Sequence, residues 1–336
     1  MSLDLESVLG EVSEHRRNRG DMSVATMTVV LFFDRDDIGR LARERIDALA
    51  AKHPSRVIVL DATQPECVRR VGAECETHAD CARARGDWIE LGVGECPPEA
   101  LASAVARLSL PEAPGVLVWA ASNAGDARFA ALSERARTVV YGSSMLDDGD
   151  GALRTLLTFV KANPDVWVAD FAYLRLAPWQ ESIALFFDAK NVIRELFDLR
   201  RVEIRCGSDA EAYYLLGWLS SRLEWTPCAP DSFCNRFGVQ IDFSILREGP
   251  ARTIRSVALA SSQTQFLAEV SGEHDEAILL RVSGAQEHCD RWRPITNVDV
   301  ATLVERAILS GRRDTVFVES LMAAGEVLAH RKAEAE

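Results

Sequence analysis

The sequence predicts an α/β protein, with an N-terminal doubly wound, mostly parallel sheet domain followed by an α+β domain with an antiparallel meander. The first half alternates continuous apolar runs of β-forming residues, such as 26–33 and 57–60, with segments of helical period, a pattern typical of parallel β-α-β units. In the second half, every second residue from Val239 to Ile245 is apolar, as in a strand with one covered face. A length of 336 residues favours two domains over one.

The first domain is predicted over residues 23–164, after an N-terminal helical arm over residues 1–22. The helix that follows Asp34 is predicted to end at His53-Pro54, because a proline disfavours the helical conformation in the residue before it. Residues 68–78 and 86–93 are predicted to form a hairpin inserted at the sheet edge. The other strands are predicted at 116–119 and 138–141, and the other helices at 97–108, 126–136 and 153–163.

A helical bridge is predicted over residues 165–198, and the second domain over residues 199–336. The main helix of this domain begins with Ser208 and Glu211, which have the spacing of a capping box. Two closing helices are predicted to cover its sheet. Those helices are predicted at 298–310 and 314–329, and the strands at 201–205, 239–245, 253–260, 264–271 and 276–283.

The charge of the chain argues against several classes of partner. The net charge is −13 and the isoelectric point is about 5.1, whereas nucleic-acid binders need a basic face to replace the counterions of phosphates. We therefore expect no nucleic acid and no anionic membrane as a partner. No run of about 18 apolar residues is present, and Asp4 and Glu6 stand where a signal peptide would be basic. These features predict a cytoplasmic protein with reduced thiols.

The common catalytic motifs are missing from the sequence, which has no phosphate-binding P-loop, no Gly-x-Ser-x-Gly and no His-Glu-x-x-His. Gly92 and Gly94 supply two glycines of a dinucleotide fingerprint, but Glu95 follows them and would repel a phosphate. We therefore expect no catalytic residues and no cofactor. A doubly wound domain without its phosphate loop lacks the usual reason to be assigned as an enzyme.

The eight cysteines suggest two further kinds of site. One is a zinc site built from four cysteines and His78, but the spacings match no common zinc module, so we expect no metal. Its candidate ligands would be Cys67, Cys75, His78, Cys81 and Cys96. The other is a redox pair, because Cys228 and Cys234 lie close together in a loop that contains two prolines. Ordinary thiols are the alternative for both groups.

Two aromatic clusters carry the candidate partner-binding residues. In one, Trp218, Arg222 and Trp225 form a stripe along a helix, where the arginine could stack between the two indoles. In the other, Arg175 and Trp179 lie in a stretch rich in aromatic residues between the two predicted domains. Both clusters have an alternative role as domain-interface core. Trp, Tyr and Arg also dominate binding hot spots, so the five residues are equally candidates for a protein-binding surface.

At these residues the chain resembles the glucose-6-phosphate dehydrogenase assembly proteins, the OpcA family. The matching stretches occur in order along most of the chain: His53-Pro54-Ser55-Arg56, Asp170 to Trp179, Phe187-Asp188, and Gly217 to Trp225 with its two tryptophans. Three positions depart from the family pattern. Gln180 replaces a basic residue, Trp119 stands alone where the family has two tryptophans, and Gly142-Ser143 replaces Asp-Ser.

The resemblance implies a non-catalytic protein that binds glucose-6-phosphate dehydrogenase and favours its active oligomer in the oxidative pentose phosphate pathway. Such a partner would bind one arrangement of dehydrogenase subunits better than another and shift the equilibrium towards it. The alternative is an enzyme or small-ligand-binding protein that uses a pocket at the strand ends of the first sheet. A deep pocket with converging polar groups would favour the alternative, and a filled surface would favour the protein-binding interpretation.

Overall fold

The structure is a computed structural model of the 336-residue chain. It describes residues 5–19, 25–37, 39, 53–65, 69–72, 86–123, 125–146, 148–188, 192–248, 253–270, 277–284, 289–295, 300–309 and 313–335. The chain forms two compact units that interleave along the sequence. The first contains residues 1–148, 160–171 and 299–313, and the second contains residues 149–159, 172–298 and 314–336. The predicted division of the chain into an arm, a first domain, a bridge and a second domain, with boundaries at residues 22, 164 and 198, stays a prediction.

The first unit contains a seven-stranded sheet with the order β3-β4-β2-β1-β5-β6-β7. Only β3 is antiparallel, so six strands form a parallel array. Every side chain of β1 and β2 is buried, which explains why these strands read as continuous apolar runs. The strands are β1 Met27–Phe33, β2 Ser55–Asp61, β3 Arg69–Gly72, β4 Asp87–Gly92, β5 Gly115–Ala120, β6 Thr138–Tyr141 and β7 Trp167–Asp170.

The second unit contains an eight-stranded sheet with the order β15-β14-β13-β12-β8-β11-β10-β9. Its strands pair antiparallel except β8 and β11, which are parallel. The strands are β8 Arg201–Cys206, β9 Thr226–Ala229, β10 Ser232–Cys234, β11 Gln240–Arg247, β12 Ile254–Ala260, β13 Thr264–Val270, β14 Ala277–Gly284 and β15 Cys289–Pro294. The fold class predicted from the sequence is therefore confirmed.

The described helices are α1 Leu5–Arg19, α2 Pro98–Leu108, α3 Ala127–Ser133, α4 Gly149–Ala162, α5 Phe171–Leu174, α6 Ala177–Phe186, α7 Ile193–Phe197, α8 Asp209–Leu223, α9 Val300–Leu309 and α10 Thr315–Ala335. In the second unit, α8 and α10 pack against each other along much of their length. Gly217 makes their close approach possible, because a Cβ atom there would overlap the Ser320 carbonyl oxygen and lie 2.9 Å from the backbone nitrogen of Ala324.

Several local predictions need correction. The predicted helical bridge contains β7, which extends the first sheet. The predicted edge hairpin is present, because β3 lies at the sheet edge and pairs antiparallel with β4. Helix α9 was predicted to cover the second sheet, but it contacts β6 of the first. Ser208 occupies the N-cap position of α8 without a side-chain cap bond, and the Glu211 carboxylate bonds to Arg175 and to the Ile254 N–H. The β9–β10 hairpin was not predicted.

Candidate functional site

The first sheet has the strand order of a dinucleotide-binding fold. Leaving aside the edge strand β3, the order β4-β2-β1-β5-β6-β7 reverses direction between β1 and β5. In an open α/β sheet, ligands bind in the crevice at the carboxyl ends of the strands where this reversal occurs. The residues after β1 and β5 are therefore the place to look for a binding site.

The segment after β1 has acidic residues where a dinucleotide-binding loop has glycines. The motif Gly-x-Gly-x-x-Gly, placed on Asp34 to Gly39, would put its first two glycines at Asp34 and Asp36 and its third at Gly39. Gly39 keeps the packing role of the third glycine, because a Cβ atom there would collide with the ring of Phe33 on β1. The first two glycines normally let the backbone turn tightly and approach the pyrophosphate, and here both are aspartates.

The Asp34 carboxylate fills the crevice with a hydrogen-bond acceptor. The Ser122 backbone N–H donates to its two oxygens at 2.8 and 3.0 Å, and the Ser122 hydroxyl donates at 2.6 Å. Asp34 directly follows β1, and Ser122 follows β5 by two residues, so this pair joins the two strands on either side of the reversal. The backbone N–H and the hydroxyl of Ser122 are thus both committed to a protein carboxylate.

Further carboxylates surround this pair. Asp61 ends β2, where a dinucleotide fold places the acid that binds a ribose hydroxyl, and its carboxylate accepts from Thr63 N at 2.9 Å and from the Thr63 hydroxyl at 2.6 Å. The same hydroxyl lies 3.1 Å from the Asp36 carboxylate. Arg35 donates to Asp37 at 2.8 and 3.1 Å. This nearby cation is therefore neutralised within the protein.

Aromatic rings occupy the ends of β1, β5 and β6 below this cluster. Phe32 stacks on Trp119 with ring centroids 4.4 Å apart, and Phe129 contacts both Trp119 and Tyr141 at 5.3 Å. Trp119 and Tyr141 are fully buried, and neither the indole N–H nor the phenol hydroxyl has a hydrogen-bond partner among the described residues. Burial, and secondarily the charge of Asp170, raise the pKa of Tyr141, so its hydroxyl stays protonated.

The residues of this site do not fit a dinucleotide. A pyrophosphate needs converging N–H donors and a positive potential, whereas Asp34 and Asp36 present carboxylates where its oxygens would lie. Gly92 and Gly94 are the fingerprint considered from the sequence, but Gly92 ends β4 and Gly94 follows it, so neither lies after β1. The Gly94 N–H donates to the Gln64 carbonyl at 2.8 Å. No hydride-transfer step is therefore derived for this chain.

Arg175 and Glu211 form a buried ion pair in the second unit. Arg175 donates to one oxygen of Glu211 at 2.6 and 2.8 Å, while the Ile254 N–H donates to the other oxygen at 3.0 Å. The Glu211 side chain is 2% exposed and that of Arg175 is 26% exposed. Removing Arg175 alone would leave the Glu211 carboxylate buried without its cation, and such a change destabilises a fold.

The four remaining partner-binding candidates differ in accessibility. Trp179 on α6 and Trp225 after α8 are each 6% exposed, and the Trp225 ring lies 5.9 Å from that of Phe233. Trp218 is half-buried and Arg222 is exposed. Arg222 forms an ion pair with Glu319 on α10, instead of the predicted stacking between the indoles. Within this set, Trp218 and Arg222 therefore reach the surface, and the two buried tryptophans contribute to packing.

Cys228 on β9 and Cys234 on β10 form a disulfide, with Cα atoms 5.7 Å apart. It joins two antiparallel strands at one edge of the second sheet. Cys206 is a buried free thiol, and Cys96 is also buried. Of the proposed zinc ligands, Cys67, Cys75, His78 and Cys81 lie outside the described residues. Across the residues that the structure describes, no group of three or more His, Cys, Asp or Glu side chains could hold a metal ion.

Comparison with known families identifies the chain. Residues 46–158 match the OpcA family model for the N-terminal domain of a glucose-6-phosphate dehydrogenase subunit, and residues 166–321 match the model for the C-terminal domain of the same subunit. The chain belongs to the OpcA family. The resemblance noted from the sequence is thus confirmed, and the OpcA domains together account for most of the chain.

Curated relatives agree with this assignment. The chain is 29% identical over 193 residues to a Synechocystis protein that carries the name OxPP cycle protein OpcA, and 25% identical over 190 residues to one of the same name from Synechococcus elongatus. Each match covers 54% of this chain, but only 39% and 42% of the respective relatives. The chain therefore matches less than half the length of these relatives.

Solved structures of oxidoreductases have a similar fold. The 3-ketoreductase KijD10 of Actinomadura kijaniata, determined with NADP, aligns with a TM-score of 0.54 and 11% identity over 91% of this chain and 97% of that one. A levoglucosan dehydrogenase with NADH and L-sorbose aligns with a TM-score of 0.51 and 12% identity over 92% and 98%. At such identities the similarity shows the fold alone. Among the described helices of this OpcA-family chain, none is long and apolar enough to cross a bilayer.

Two features of the site were missed by sequence reasoning. The acidic form of the dinucleotide loop was detectable, because Asp34, Asp36 and Gly39 directly follow the first apolar strand with the motif spacing. The pairing of Arg175 with Glu211 was not detectable, because 36 residues separate the two side chains and no local pattern joins them.

The burial of Trp179 gives a prediction that separates packing from contact residues. Trp179→Ala is expected to lower the free energy of unfolding by about 3–5 kcal/mol, because it removes a buried indole and leaves a cavity. Trp218→Ala, at a half-buried position, is expected to cost well under half of that. Urea unfolding of both variants checks the difference, and equal losses would contradict the assignment of Trp218 to the surface.

The thiols give a second prediction. Alkylation of the folded, unreduced protein followed by mass spectrometry is expected to leave Cys228 and Cys234 unmodified and joined. Mild reduction should release this pair, while Cys206 stays unmodified, because burial and the nearby Asp209 and Glu211 raise its pKa to about 12 and keep the thiol protonated. Free Cys228 and Cys234 under mild oxidant would contradict the redox pair, and full denaturation before alkylation is the control.

Proposed function

We propose that this OpcA-family chain is a non-catalytic, cytoplasmic partner of glucose-6-phosphate dehydrogenase that favours the active oligomer of that enzyme in the oxidative pentose phosphate pathway. The observation that carries the proposal is the replacement of the phosphate-binding glycines by Asp34 and Asp36 in an otherwise dinucleotide-type sheet. The family descriptions, which name a dehydrogenase subunit, support the choice of partner.

The first unit supports a binding role because its potential ligand crevice is used for structure. The Asp34 carboxylate takes up the N–H and hydroxyl of Ser122 at this edge, and the rings of Phe32 and Trp119 stack in the core. An enzyme or small-ligand binder of the dinucleotide type would need those donors free and no carboxylate beside them. This disfavours the alternative function at the strand ends of the first sheet.

The proposed effect on the dehydrogenase follows from linkage. A protein that binds one oligomeric arrangement more tightly than another shifts the population towards the arrangement that it prefers. Reversing a population from about 1:99 to 99:1 takes a preference of about 10⁴-fold. An activator of this kind needs no catalytic group of its own, but it needs a stable surface for the partner.

We further propose that the second unit provides this surface. The predicted contact residues Arg175, Trp179, Trp218, Arg222 and Trp225 all belong to it. Trp218 and Arg222 would touch the partner, while Arg175 would support the surface through its bond to Glu211. The buried Trp179 and Trp225 would fix the elements on which the surface is built.

The Cys228–Cys234 disulfide offers a means of control. It joins β9 to β10 directly after the segment that carries Trp225, so its reduction would loosen this edge of the sheet. We propose that the oxidised and reduced forms differ in affinity for the dehydrogenase. Comparing the affinity of the Cys228→Ser/Cys234→Ser variant with that of the oxidised protein would detect such a difference.

The proposed function is tested by purifying the tagged chain from a lysate of its own cells and by measuring dehydrogenase kinetics. We expect the dehydrogenase to co-purify, and its maximal rate or its affinity for glucose 6-phosphate to change when the chain is added. Heat-denatured chain serves as the control for nonspecific effects of added protein. No association and no change in rate, with a folded sample, would contradict the proposal.

A further inference from the structure

The second unit exposes three large apolar side chains on one small surface. Phe237 is 65% exposed, Ile193 is 47% exposed and Phe197 is 46% exposed. Ile193 and Phe197 lie four residues apart on α7 and therefore share one face of this short helix. Phe237 lies in the turn between β10 and β11, and its ring centroid is 6.5 Å from that of Phe197. Single exposed apolar residues are ordinary, but a contiguous group marks an interaction site.

An arginine joins the two rings. The Arg236 guanidinium lies 4.9 Å from the ring centroid of Phe237 and 5.5 Å from that of Phe197. The two rings meet edge to face, with an interplanar angle of 84°. Aromatic and arginine side chains in such an arrangement are the residue types that dominate binding hot spots and are enriched in the cores of interfaces. We refer to Ile193, Phe197, Arg236 and Phe237 as the aromatic–arginine patch.

Asn235 holds the patch in place before any partner arrives. Its side-chain oxygen accepts from the backbone N–H groups of Phe237 and Val239 at 2.9 and 3.0 Å, and its amide group donates to the Phe197 carbonyl at 3.1 Å. Gly238 completes the turn with a φ of +76°, a conformation that favours glycine. One side chain thus fixes the turn and joins it to the end of α7. A surface ordered in advance loses less conformational entropy on binding.

The patch differs in charge from the rest of the chain. Segments 192–200 and 232–240 contain three arginines and two acidic residues, whereas the whole chain has a net charge of −13. Arg194 and Arg236 are exposed, and Arg236 lies 3.7 Å from the exposed Glu224, a long contact that a partner carboxylate could replace. The matching surface on a partner is therefore an apolar depression edged by carboxylates.

From these observations we infer that the aromatic–arginine patch is a further docking surface of this chain for a folded protein, in addition to Trp218 and Arg222, and that its occupant is the dehydrogenase of the proposed function, on which this inference rests. A second copy of the chain fits less well. A two-fold symmetric contact would bring the patch of one copy against the patch of the other, and two chains of net charge −13 would repel each other.

The test measures the affinity of the purified chain for the purified dehydrogenase by biolayer interferometry. The variant Phe197→Ser/Phe237→Ser removes both rings and should raise the dissociation constant at least tenfold, because hot-spot residues carry most of the binding energy. Trp292→Ser is the matched control, since Trp292 is 57% exposed on β15 in the same unit. It should change the dissociation constant less than twofold, and both variants should keep the melting temperature of the wild type.

Arg236→Glu provides an independent variant that leaves the rings in place. Its side chain is 55% exposed, so the fold should tolerate the change. Reversal of this charge should slow association with the dehydrogenase, and more so at low salt, if the partner surface carries carboxylates. This measurement shows whether the aromatic–arginine patch contacts the dehydrogenase even if the double variant is unstable.

The possible outcomes distinguish an error in the docking surface from an error in the proposed function. Wild-type binding that the double variant and Arg236→Glu both retain would overturn the patch assignment and leave the proposed function intact. Wild-type binding lost in Trp292→Ser alone would place the contact elsewhere on the second unit. No binding of the wild type would overturn both proposals. Self-association of the wild type that disappears in the double variant, measured by sedimentation velocity, would assign the patch to a second copy and overturn the inference.

Discussion

The Asp34 carboxylate accepts hydrogen bonds from the N–H and the hydroxyl of Ser122. The functional interpretation of this fold depends on that interaction. It lies between the ends of β1 and β5, where a dinucleotide-type sheet offers backbone donors to phosphate. In this OpcA-family chain the donor and the carboxylate satisfy each other. The carboxylate makes the crevice acidic and also joins the two central strands. One interaction therefore places a carboxylate in this crevice and joins the two strands on either side of it.

The surrounding residues follow from the same constraint. The ends of β1, β5 and β6 are filled by the buried rings of Phe32, Trp119 and Tyr141. Gly39 remains because its role is packing against Phe33 rather than binding. A chain with Asp34 and Asp36 in place of the phosphate-binding glycines keeps its α/β fold. Its second unit carries the exposed and preorganised aromatic–arginine patch, to which we assign the proposed function.

The sequence predicted the strands that are buried on both faces or along one face. It missed strands that have no such regular pattern of burial. The continuous apolar runs at β1 and β2 and the period of two at β11 report directly which faces are covered. The β9–β10 hairpin was hidden because β9 contains Pro227 and alternates only between half-buried and exposed positions. An amphipathic helix shows which of its faces is apolar but not which sheet it covers, so α9 was assigned to the wrong sheet. The indole pattern on α8 likewise could not show that Trp225 is buried while Trp218 is half-buried.

The most direct test of this account is a calorimetric titration of the purified chain with NADPH and with NADP. A reductase of the KijD10 type, whose structure contains NADP, serves as the positive control. The account predicts no saturable binding of either cofactor at concentrations up to about 1 mM, where a binding free energy near −4 kcal/mol would still register. Saturable binding in the micromolar range would contradict it, because such affinity requires a pyrophosphate site at the turn where this chain has Asp34 and Asp36.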